Sequence, residues 1–126
     1  MKKKMLLIDV KNDDVRVVHA DGLDDYYKLL DCSCVDIVTR RIGNKLYDII
    51  CDDEGLLVEN PIVSAVDRDN QPMLVGNLLI AGLADEDGYL TSLTDRDILR
   101  IEFNILVGKR SDRPDGYPVL TNCNYI

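Results

Sequence analysis

The side chains best suited to chemistry in this 126-residue chain are four cysteines, one histidine and two compact runs of carboxylates. Cys32-Ser33-Cys34 is a Cys-x-Cys pair, not the Cys-x-x-Cys of zinc knuckles or thioredoxin-like sites, and no second pair follows. A four-ligand metal site would need Cys51 and Cys123 to converge on that pair. Without a secretion signal the cysteines read as free thiols in a reducing compartment. His19 is the only histidine, and nothing in the spacing brings it to a thiol as a base–nucleophile pair. Asp52-Asp53-Glu54-Gly55 and Asp85-Glu86-Asp87-Gly88 resemble calcium loops only superficially. The residue six places past each glycine is Pro61 or Thr94, where a bidentate Glu is required. Asp and Gly are also what tight turns demand, so these runs read first as turns. No phosphate-binding glycine loop, nucleophile elbow or His-Glu-x-x-His motif occurs. No metal, cofactor or catalytic residue is therefore expected. A weak hydrolase using carboxylates alone is the third-ranked reading.

The elements that would position these residues read as one α+β domain, residues 1–126. It has a mostly antiparallel sheet of about six to eight strands, one short N-terminal helix, one helical turn near 94–98 and an irregular tail from 108. The organising stretch is Pro72 to Gly82, a long uncharged apolar run, expected to be a single central strand because Gly76 and Gly82 argue against a helix. Lys4 to Val10 and Val15 to Val18 read as a hairpin around a polar turn. Asp21-Gly22 then starts a helix that presents Leu23, Tyr26, Tyr27 and Leu30 on one face. Val35 to Ile42 and Lys45 to Cys51 form the clearest hairpin. Its two-residue Gly43-Asn44 turn sets Val38 opposite Ile49, Ile37 opposite Ile50 and Arg40 opposite Tyr47. Residues 62–71 read as a loop. Ser92 to Asp97 is a helix start with acidic capping-box spacing. Leu99, Ile101, Phe103, Ile105 and Val107 then alternate with mostly polar residues, which predicts a strand from Leu99. A last short strand is expected at Tyr117 to Leu120.

The net charge of −8 lies wholly in residues 51–126, because residues 1–50 carry nine bases and nine acids. An acidic surface repels phosphates, so direct nucleic-acid and membrane binding are not expected. No run is long enough to span a membrane, and Met1-Lys2-Lys3-Lys4 is followed by too short an apolar stretch for a signal peptide. A cytoplasmic location is expected.

Ile49 to Leu57, Leu74 to Gly82 and Thr91 to Asp95 together carry a family resemblance. In order and spacing they are similar to the phage-associated domain of unknown function 3846, found in phages, plasmids and mobile elements of Firmicutes and related bacteria. The likeness covers roughly residues 4–100. The expected departure comes after Thr94, where family members continue into a C-terminal helix. The resemblance implies a setting, the host cytoplasm, and no catalytic residues.

The leading expectation is a non-enzymatic accessory protein that binds a host protein, such as a defence component. It would use the acidic turns Asp52, Asp53, Glu54, Asp85, Glu86 and Asp87, by strand addition or by mimicking nucleic acid in a basic groove. The alternative is a binder that sequesters a signalling nucleotide at a homo-oligomer interface. Its cations would come from Arg40, Arg41, Lys109, Arg110 and Arg113, with Tyr47 stacking on the base.

Overall fold

Two apolar runs on either side of a polar turn build a hairpin in the first twenty positions. In the computed structural model, which describes residues 1–110 and 112–126, β1 (Lys3–Asp9) pairs antiparallel with β2 (Asp14–Ala20). Helix α1 (Leu23–Leu30) follows, with Asp24 and Asp25 in its first turn, where the helix dipole favours acids. Tyr26 and Leu30 are buried, as their spacing predicts, but Leu23 is exposed and Tyr27 only half-buried. A two-turn helix meets the sheet along one narrow line. The buried stripe runs through Tyr26 and Leu30 and leans toward Leu29.

Strands β3 (Val35–Ile42) and β4 (Lys45–Asp52) pair in the register read from sequence, including Val38 with Ile49 and Arg40 with Tyr47. A 3-10 turn (Gly55–Leu57) leads to β5 (Val63–Val66), inside the segment expected to be a loop. Only 67–71 remains a turn, closed by the Asp67 carboxylate, which accepts from the backbone N–H groups of Asp69 and Gln71. Four residues are too short for a periodicity signal, and Ser64 and Ala65 are both fully buried.

The organising stretch is not one strand. It divides into β6 (Pro72–Val75) and β7 (Leu78–Gly82), with Gly76 between them at φ 75°. That left-handed conformation lets the chain leave one sheet and enter another. Helix α2 (Asp95–Phe103), β8 (Ile105–Arg110), β9 (Arg113–Leu120) and β10 (Cys123–Asn124) complete the chain.

The first sheet has six strands in the order β10-β3-β4-β7-β1-β2, and the second has four, β6-β5-β9-β8. All β7 residues are buried, so the central position expected for the stretch belongs to its second half. The fold is α+β and mostly antiparallel, with ten strands among the described residues rather than six to eight; β5 and β9 pair in parallel. Leu6, Ile8, Ile49 and Ile80 face the second sheet and α2, whereas Met5, Leu7, Ile50 and Leu79 face α1.

Two C-terminal expectations are corrected. The helix does not stop after one turn. It runs to Phe103, and the strand expected from Leu99 begins only at Ile105. The alternation misleads because Leu99 and Phe103 are apolar but exposed, while Ile98 and Ile101 are the pair that packs inward. Nor is 108–126 an irregular tail. It closes the β8–β9 hairpin, and β9 is longer than the short strand expected at 117–120. Among the described residues no helix is long and apolar enough to cross a membrane.

Candidate functional site

Strand β4 ends at Asp52, where the chain turns out of the sheet. The Asp52 carboxylate accepts the Glu54 N–H at 2.9 Å, the Asp53 N–H donates to the Cys34 carbonyl at 3.1 Å, and the Leu57 N–H donates to the Glu54 carbonyl at 2.9 Å. These bonds fix the course of the turn, and its Gly55 packs against β6. The fit is tight at Gly55, where an added Cβ would lie 3.0 Å from Val75 Cγ2. Further out the two segments separate and leave a cleft of about 480 Å³, lined by Cys51 to Asp53, Gly55 to Leu57 and Pro72 to Val75. Its size falls within the range of small-ligand and peptide sites.

The cleft wall is apolar and its rim acidic. Leu56 and Leu57 are 75% and 80% exposed, and Val58 beside them is also exposed. β6 is the last strand of its sheet, so its outer backbone edge has no strand partner among the described residues. Burial first, then the Asp36 charge, pushes the Cys51 thiol in the wall up to about 11, and Arg40 only partly opposes this. The thiol is therefore protonated and unreactive near neutral pH. What such a surface complements is an apolar, extended segment bearing positive charge.

The second acidic turn lies elsewhere. β4 and β7 are antiparallel, with Cys51 opposite Leu78 and Tyr47 opposite Gly82. Asp52 to Glu54 and Asp85 to Asp87 therefore project from opposite ends of the strand pair and do not form one face. The Asp85 carboxylate closes its own turn, accepting from the N–H groups of Asp87 and Tyr89 at 2.9 and 3.0 Å.

The cations proposed for a nucleotide pocket do not converge either. The Arg40 guanidinium lies 4.7 Å from the centroid of the Tyr125 ring and donates to the Thr39 carbonyl. Arg41 is paired with Asn124 at the β10 edge. Arg110 binds Asp112, Arg113 binds Asp13, and Lys109 is exposed on the second sheet. The stacking role for Tyr47 is corrected outright, because its side chain is fully buried. The hairpin register does put Arg40 and Tyr47 on one face, but that face is covered by the second sheet and α2.

Tyr47 instead belongs to a buried polar cluster that sequence reading missed. Its phenol donates to Asp97 Oδ1 at 2.7 Å and accepts from Arg100 Nη1 at 2.9 Å, and Lys45 Nζ reaches the same Asp97 oxygen at 2.7 Å. Burial drives the Asp97 carboxyl upward, but bonds from Lys45, Thr94 and Tyr47 outweigh it and hold the group well below the usual carboxylate range. Burial, reinforced by the Asp97 bond, pushes the Tyr47 phenol up to about 12. The visible signals were Lys45-x-Tyr47 on one strand face and the Thr94–Asp97 capping box, but not their meeting. A second buried knot joins Asp9 and Asn77. The cysteines are free. Cys51 is opposite Asp36 and Cys123 opposite Ile42, at the two ends of β3, so the four do not converge.

A family model described as Domain of unknown function (DUF3846) matches residues 1–104, from β1 to the end of α2. Comparison with curated proteins and with solved structures gives no match. The matched span contains the cleft, the buried Asp97 cluster and both helices, and on that match the chain belongs to the DUF3846 family.

Proposed function

We propose that the protein is a non-enzymatic binding module that takes an extended apolar segment with basic flanks from another protein. The observation that supports this best is the open apolar cleft between Gly55–Leu57 and the free edge of β6, rimmed by Asp52 and Asp53. An added strand on β6 gains backbone hydrogen bonds, its alternate side chains cover Leu56 and Leu57, and its Lys or Arg residues meet the rim carboxylates. In the setting implied by the family resemblance, a phage or mobile element, the partner is a host protein bound in the host cytoplasm, such as a defence component.

The test is a titration of isotope-labelled protein with extended peptides of alternating Val and Leu, with and without terminal lysines, followed by NMR. Shifts confined to Leu56, Leu57 and Met73 to Val75, weakened by salt and lost in Leu57→Asp, support the reading. Peptide indifference together with thermal stabilisation by nucleotides would instead favour the sequestering alternative.

A further inference from the structure

The opposite edge of the second sheet has a different character. β8 is its last strand, with β9 on one side and, among the described residues, no strand on the other. Both faces of its exposed part are apolar, because the consecutive residues Leu106 and Val107 are 60% and 70% exposed. The helix that feeds it adds Leu99 and Phe103, the latter 87% exposed. Adjacent large apolar side chains on an unpaired edge form the kind of surface that natural proteins ordinarily blunt or cover.

We infer that this edge is covered by a second copy of the same chain, through antiparallel β8–β8 pairing about a twofold axis. The charge order along the strand selects this occupant. Glu102 precedes the apolar run and Lys109 follows it, both are exposed, and neither has an ion-pair partner in its own chain among the described residues. With Leu106 opposite its own copy at the axis, Lys109 falls opposite Phe103, beside Glu102 in the partner copy's final α2 turn. Twofold symmetry then makes the Glu102–Lys109 contact twice. The acidic surplus does not oppose this approach, since Lys109, Arg110 and Arg113 offset Asp112 and Asp115 and leave the β8–β9 hairpin close to neutral. The interface and the cleft lie on opposite edges of one sheet, so two chains would present two clefts.

Sedimentation of the full chain across micromolar concentrations tests this. Two-chain mass is expected, falling to single-chain mass in Val107→Lys with an unchanged far-UV spectrum. Glu102→Lys and Lys109→Glu should each weaken association about tenfold at low salt, because each contact counts twice. The double swap should recover most of the loss. If Val107→Lys does not fold, the charge series alone decides. Single-chain mass for the unaltered protein at all concentrations overturns the inference, as does a dimer indifferent to both charge reversals.

Discussion

The Tyr47 phenol donates to the Asp97 carboxylate at 2.7 Å, joining the start of β4 to the first turn of α2 across fifty residues of chain. Thr94 caps the helix through the same aspartate, whose Oδ2 accepts the Thr94 N–H at 2.8 Å. One carboxylate thus starts a helix and docks it on the sheet. Its folded-state pKa is lowered, so its stabilisation is complete above the unfolded value near 4 and is lost as pH falls further. Asp97→Asn should cost about 2–3 kcal/mol at pH 7. In urea unfolding the gap from the unaltered protein should narrow steadily below pH 4.

Tyr47 carries the opposite sign. Its folded pKa is raised to about 12, so its contribution is present below the unfolded value near 10 and disappears as pH rises from 10 toward 12. Tyr47→Phe should cost about 1–2 kcal/mol at pH 8. Its loss of stability above pH 10 should be shallower than that of the unaltered protein.

Asn77 gives a carboxylate test of a different kind. Its Oδ1 accepts the Val10 N–H at 2.9 Å, and its Nδ2 donates to Asp9 Oδ1 at 3.0 Å, in a buried setting. Asn77→Asp keeps the acceptor but sets two carboxylates against each other, costing about 3 kcal/mol at pH 7. One of the pair then has a raised pKa. The variant should gain stability as pH falls from 7 toward 5, a range in which the unaltered protein changes little.

Gly76 is the point where the chain passes between sheets. An added Cβ there would meet nothing within 4 Å, so φ 75° alone sets the penalty. Gly76→Ala should cost about 1–2 kcal/mol, and Gly76→Asn less, because asparagine tolerates the left-handed region. Equal losses for the two would point to side-chain crowding instead.

The thiols should separate by burial. Cys34 is exposed, while burial pushes Cys123 up to about 12, an effect that Arg40 only partly relieves. Alkylation at pH 8 followed by mass spectrometry should modify Cys34 first. Cys51 and Cys123 should react only on unfolding.

Local chemistry determined a good part of this protein on its own. The Gly43-Asn44 turn leaves one register for β3 and β4, and two apolar runs about a polar turn are enough for β1 and β2. The Thr94–Asp97 capping box marks the start of α2. The acidic runs are turns because their carboxylates accept from backbone N–H groups two and four residues ahead. The remainder depended on which surfaces meet. Leu99 and Phe103 read as strand residues because sequence does not show that they face solvent while Ile98 and Ile101 face the sheet. Gly76 could be a bulge within one strand or a passage between two sheets, and only the second sheet, closed by β9 from the far end of the chain, decides. Tyr47 looked available for stacking until α2 covered it. The candidate cleft needs Leu57 and Met73 to line one space, and that juxtaposition arises only when β6 takes the edge of the second sheet.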